Sequence, residues 1–263
     1  MVYVTTPGPY SSFIVGNNCP DAFGCNEAAD FWIKRHDTKP PFKICVTECD
    51  GTPMDLTGLI LEASMWFKGK LKNALETTDE YFALADNIGF DQCNIGDIIV
   101  INRVRAPEQM LITGFDENLK LIQVQRGYNG SRISYFKKGT PLRIFRILNA
   151  IATTEMDTED IPQVDGSITT DVLVKSRLVY EWLAPDTCLP GCFYFEFKLL
   201  KMSEDNIVSS LMLAPSTPSF VSYTSDEVGC EAGSGVEWVR RFPVEKDGYL
   251  VRIFDSPTSE NLF

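Results

Sequence analysis

Residues 42 to 67 carry the rhythm that most restricts what this chain can fold into. Phe42 to Glu48 (FKICVTE) alternates apolar and polar side chains, and Leu59 to Phe67 (LILEASMWF) alternates again. A repeat of two places alternate side chains on opposite faces, which suits an extended strand and not a helix. Asp50-Gly51 lies between the two runs, where glycine permits the positive φ of a turn. Short runs of the same kind, rich in Val, Ile, Phe and Tyr and closed by Gly, Pro, Asn or Asp, recur along most of the sequence. The expectation is an all-β protein.

Asp97 to Asn102, Gln109 to Thr113, Lys120 to Gln125 and Pro141 to Ile147 form a dense set of such runs, with turns at Asp116 to Asn118 and Gly127 to Gly130. They predict a small β-barrel or β-sandwich module. Ala152 to Ser167 is acidic and reads as a loop. DVLVKSRLVYEWL and GCFYFEFKLLKM then return to long alternation, joined by WLAPDTCLPG. This later pair is expected to complete the sheet begun by residues 42 to 67, with the module inserted into one of its loops. The expected organisation is an N-terminal arm at 1–30, a discontinuous β-sandwich at 31–74 plus 149–202, an inserted β module at 75–148, and a loop-rich segment with short strands at 203–263. Within that last segment, Val236 to Val239 and Tyr249 to Phe254 are the strand signals.

Composition narrows the partners. The net charge of −12 argues against a nucleic-acid partner, since phosphate binding draws on clustered Lys and Arg. Residues 75–148 are balanced, so the acidic excess lies elsewhere. No run approaches the ~18 consecutive apolar residues of a membrane helix. The expectation is a soluble protein made in the cytosol, with no membrane insertion. Its eight cysteines are expected to be reduced thiols serving as small hydrophobes.

Several clusters invite a chemical reading. Cys45 with Cys49, and Cys188 with Cys192, have the four-residue spacing that can open a zinc site. In KICVTEC, though, that spacing also places both on one face of a strand. His36, the one histidine of the chain, sits in KRHD without a G-x-S-x-G serine to serve, and reads as a solvated or interface histidine. Glu155, Asp157, Glu159 and Asp160 can hold Ca²⁺ or act as paired glycosidase acids, and otherwise form a solvated loop. Arg126 to Gly130, followed by Arg132, Lys137 and Lys138, is the most basic and aromatic stretch. It reads as a turn that can also contact glycan, nucleic acid or an anionic protein face. No catalytic, metal-binding or cofactor-binding residue is assigned.

Two segments resemble the N-terminal β-sandwich of phage baseplate upper proteins. In the first, IKRHDTKPPFKICVTECDGTPMDLTG, the residues that fit are Lys34, Arg35, Asp37, Thr38, Pro40, Pro41, Asp50, Gly51, Pro53 and Asp55 to Gly58. His36 stands where that family commonly has glycine. In the second, LVYEWLAPDTCLPGCFYFEFKLL, they are Tyr180, Trp182, Asp186, Thr187, Pro190, Gly191, Tyr194, Glu196 and Phe197. LIQVQRGYNGSRISYFKKGTPL is similar to a hairpin motif of phage tail and fibre modules, with Ser131 in place of the usual threonine.

The resemblance implies an immunoglobulin-like sandwich and a non-enzymatic virion protein of the tail or baseplate. Its partners would be copies of itself and neighbouring tail, baseplate or fibre subunits. Host-surface glycan would be a further partner if the module is an adhesin. The arm at 1–30 is expected to dock on an adjacent subunit.

Overall fold

The computed structural model describes residues 29–48, 51–102, 107–164, 167–202, 236–242 and 248–254. The expected arm, apart from residues 29 and 30, and the expected loops at 203–235 lie outside them. The described residues form an all-β protein, as the alternation predicts. The strands are β1 (Phe31–Lys34), β2 (Phe42–Cys45), β3 (Leu59–Lys70), β4 (Tyr81–Phe82), β5 (Ile98–Ile101), β6 (Glu108–Asp116), β7 (Leu121–Gln125), β8 (Pro141–Pro162), β9 (Ile168–Tyr180), β10 (Gly191–Met202), β11 (Val236–Phe242) and β12 (Tyr249–Phe254). One short helix, α1 (Asn87–Gln92), interrupts them.

The main sheet runs β1-β12-β10-β3-β8-β5-β6-β7-β4, with β11 beside the second half of β10. Only the β1–β12 pair is parallel among these pairings. A second layer is built from β2, β9 and the far half of β8. The strands of residues 42 to 67 therefore part company: β2 joins the second layer and β3 the main sheet. Phe42 of β2 explains their facing geometry, because its ring lies 4.7 Å from Phe195 and 5.8 Å from Phe197 of β10. Tyr180 and Trp182, at the end of β9, stand 5.4 and 5.5 Å from Phe195. Burying aromatic rings of this size contributes roughly 2 kcal/mol or more each.

Beyond β3 the main sheet curls on itself. Lys72 N donates to Ala83 O at 2.9 Å and Ala85 N donates to Lys70 O at 2.8 Å, so the segment at β4 returns to the end of β3. The ring β3-β8-β5-β6-β7-β4 is thereby closed, which leaves it no open edge. Ile99 and Ile101, Met110 and Ile112, Ile122 and Val124, and Leu142 and Ile144 are all buried, two apart on each strand. They belong to the same contiguous core as Phe42 and Phe195.

β8 connects ring and layers. Its register with β3 slips at Ala63/Met65 and again at Met65/Trp66, leaving extra residues on β8 at Asn149 (φ 52) and Arg146. Bulges of this kind bend a strand and re-aim side chains. After them β8 leaves β3 and pairs with β9 from Thr153 to Pro162. The loop expected at Ala152 to Ser167 is thus corrected over most of its length: residues to Pro162 are strand. Polarity misled that reading, because a ribbon with water on both faces needs no apolar side.

Candidate interaction surfaces

The segment that precedes β8 is held by a buried ion pair. Gly127 (φ 67) and Asn129 (φ 54) take left-handed conformations, as the turn reading expects. Arg126, counted above with the surface cations, is instead buried: its Nε donates to Glu108 Oε1 at 2.6 Å, and the two side chains are 5% and 0% exposed. Its other nitrogens donate to Glu108 Oε2 at 3.1 Å, to Glu76 O at 2.7 Å and to Ser134 O at 2.7 Å. Ser134 N also donates to Glu108 Oε2 at 2.8 Å. Ser131 Oγ accepts from Gln109 N at 2.9 Å, and Asn129 Nδ2 donates to Gln109 Oε1 at 3.0 Å.

These bonds tie Ser131 and Ser134 to β6 and Arg126, and Phe136 pairs with Leu75. Arg132, Ile133, Tyr135, Lys137 and Lys138 stand exposed along this segment. The surface patch is therefore smaller than the sequence suggests, with two apolar residues between its cations.

The acidic residues expected in a loop lie on a ribbon. Glu155 Oε1 accepts from Lys43 Nζ at 2.7 Å, and Arg177 donates to Asp157, with NH1 3.2 Å from Oδ1. Asp160 Oδ1 accepts from Asp171 N at 3.1 Å. Glu155, Asp157 and Asp160 are thus each held by a cation or a backbone N–H. Beyond Met156 and Ser176 the ribbon is mostly exposed, and Ile161, Val164 and Ile168 lie exposed at its end, uncovered by other described residues.

The stretches Arg35 to Asp37 and Thr187 to Cys188 meet. Arg35 Nε donates to Cys188 O at 2.7 Å, His36 N to Thr187 O at 3.0 Å, and Thr187 Oγ1 to Asp37 O at 3.0 Å. His36 is exposed and held at φ 64, the conformation that glycine tolerates best. Asp186 organises the same loop, its Oδ2 accepting from Tyr180 OH at 3.0 Å and Leu183 N at 2.7 Å. Burial raises the Asp186 carboxyl above its ordinary value, against the pull of those two donors. Burial likewise pushes the Tyr180 hydroxyl up, so it stays a donor.

A second buried pair ties this loop to the ring. Arg146 Nε donates to Asp97 Oδ1 at 2.9 Å with both side chains 3% exposed, and its NH2 donates to Gln92 O at 2.6 Å. Asn94 Nδ2 donates to Cys188 Sγ at 3.3 Å. Neither Glu108 nor Asp97 was singled out from sequence. A lone carboxylate at the start of an apolar run (Glu108 before QMLIT, Asp97 before IIVI) was the available signal.

Cys45, Cys93 and Cys188 are free thiols, whereas Cys192 is disulfide-bonded. The expectation of reduced cysteines is thus corrected at Cys192. Cys49 lies outside the described residues. Among the described residues, no group of three or more His, Cys, Asp and Glu side chains is arranged to hold a metal ion, and no helix is long and apolar enough to cross a membrane. Comparison with protein-family models and with curated proteins returns no match.

Proposed function

We propose that this chain is a non-enzymatic structural component of a bacteriophage virion, placed in the tail or baseplate. It forms a multimeric scaffold that links the tail body to receptor-binding proteins or fibres. The observation that carries the reading is the contact between Arg35-His36-Asp37 and Thr187-Cys188. In the baseplate-like domain those two segments open and close one unit. Here about 150 residues separate them, yet they are hydrogen-bonded neighbours and the strands that flank them pair β2 with β9 and β3 with β10.

Scaffolding also suits the construction of the ring. It shares β3 and β8 with the main sheet, so force at one end passes through continuous strands instead of a flexible linker.

An adhesin is the second reading, favoured by the half-exposed Tyr135 between Arg132 and Lys137. Aromatic rings beside cations suit host-surface glycan, and a glycan array on the full chain tests it. Silence there leaves the scaffold standing.

The deciding experiment for the scaffold is antibody labelling of purified particles. Label at the tail tip supports it. Label on the head or neck favours a collar, capsid-decoration or head-fibre attachment protein, and absence from particles overturns the virion reading.

A further inference from the structure

Charge is segregated along the chain on either side of Thr154. From Asn118 to Thr154 the chain holds Lys120, Arg126, Arg132, Lys137, Lys138, Arg143 and Arg146 and no Asp or Glu. From Glu155 to Val174 it holds Glu155, Asp157, Glu159, Asp160, Asp165 and Asp171 and no Lys or Arg. Much of this is consumed internally: Lys120, Arg126 and Arg146 have carboxylate partners, and Arg143 lies over the Trp66 ring. Arg132, Lys137 and Lys138 remain exposed and without an ion pair among the described residues. At the other end the same holds for Glu159 and the carboxylate of Asp171.

Both ends also expose apolar side chains inside their charged surroundings. Ile133 and Tyr135 are 42% and 50% exposed at the basic end, and Ile161 and Ile168 are 36% and 64% exposed at the acidic end. The acidic end is a two-stranded ribbon whose outer edges are unpaired beyond Thr153 and Ser176 among the described residues. A lone ribbon of this kind is marginal in water and its edges invite a partner. Some 20 extended residues separate Lys138 from Glu159, a span of up to roughly 65 Å. Among the described residues no ion pair joins the two ends.

We infer that copies of this chain join head to tail, the β8–β9 ribbon of one seating on residues 131–138 of the next. This rests on the scaffold reading and supplies its self-association. The contact is heterologous, so repetition gives a ring where the rotation closes and a filament where it does not. Ile161, Val164 and Ile168 would cover Ile133 and Tyr135, with Glu159, Asp160 and Asp171 facing Arg132, Lys137 and Lys138.

The test is analytical ultracentrifugation of the purified full chain at low and high salt. One variant carries Glu159→Lys and Asp160→Lys, the other Lys137→Glu and Lys138→Glu. The wild type should self-associate at about 50 mM salt and lose roughly tenfold or more in affinity at about 500 mM, where exposed charges are screened. Each variant should sediment as a monomer, because its two ends now carry like charge. Mixing the two should restore association, each supplying the end that the other lost. A wild type that is monomeric at both salts, variants that associate like wild type, or a mixture that stays monomeric overturns the contact. Particle labelling is unaffected by any of these results, so the contact can fail while the virion reading stands.

Discussion

Arg126 and Glu108 meet as a two-point fork with almost no solvent access, Nε to Oε1 at 2.6 Å and NH2 to Oε2 at 3.1 Å. A planar guanidinium matches a carboxylate in this way, and here its remaining hydrogens also reach backbone carbonyls of Glu76 and Ser134. The pair closes the ring's loops onto β6, so its importance is structural. Arg126→Ala leaves the Glu108 charge buried and unpaired, and should cost about 3–5 kcal/mol of unfolding free energy. Arg126→Lys keeps the charge but loses the fork, and should recover only part of that. Urea titrations monitored by tryptophan fluorescence decide: an Arg126→Ala loss below about 1 kcal/mol contradicts this role.

His36 occupies a left-handed backbone position at φ 64 with its imidazole exposed. Left-handed backbone costs a residue with a Cβ roughly 1 kcal/mol relative to glycine, offset in part by the greater freedom of glycine in the unfolded chain. His36→Gly should therefore raise the unfolding free energy slightly, by no more than about 1 kcal/mol, seen as a higher urea midpoint with an unchanged slope. A midpoint that falls shows that the imidazole makes a contact worth more than the strain.

The strands of the ring were legible because their inward positions are apolar at every second residue, as at Ile99/Ile101 and Ile122/Val124. The turn at Gly127 to Gly130 was legible for a similar reason, since few residues accept its backbone angles. The second half of β8 was not. Thr153, Glu155, Asp157 and Glu159 have no core to face, and strand pairing between backbones leaves no hydrophobic period to read. Ring closure by Lys70 and Lys72 against Ala83 and Ala85 is a backbone event of the same kind. The buried cations were illegible for a different reason: Arg126 looks the same in sequence whether water or Glu108 surrounds it, and the two lie 18 residues apart.

Asp186 should give the loop at 183–188 a measurable pH signature. Burial raises its carboxyl above the ordinary 3.8, so the native state holds that proton more tightly than the unfolded chain does. A raised carboxyl contributes stability that is fully present below the unfolded value and lost as pH rises through the folded one. Asp186→Asn has no proton to lose, and its amide oxygen can still accept from Tyr180 OH and Leu183 N. The stability of the variant relative to wild type should therefore increase as pH rises from below 3.8 towards neutrality. Urea midpoints of both proteins across that range read this difference directly, and a pH-independent difference shows that the carboxyl is not perturbed in the folded protein.

The ribbon beyond Met156 and Ser176 buries little, so the fold should survive its removal. Replacing residues 157–175 by Asn-Gly joins the paired residues Met156 and Ser176 through a two-residue turn whose twist suits antiparallel strands. The ion pair of Arg177 with Asp157 is lost, but Arg177 is partly exposed and Glu155 remains beside it at 3.3 Å. Exposed ion pairs are worth about 1 kcal/mol or less. The shortened chain should stay soluble, keep its far-UV circular dichroism apart from the missing strands, and shift its melting temperature by only a few degrees. Insolubility or a collapse of the melting transition means that the ribbon braces β2 and β9. A retained fold instead makes the variant a clean means of asking what the ribbon binds.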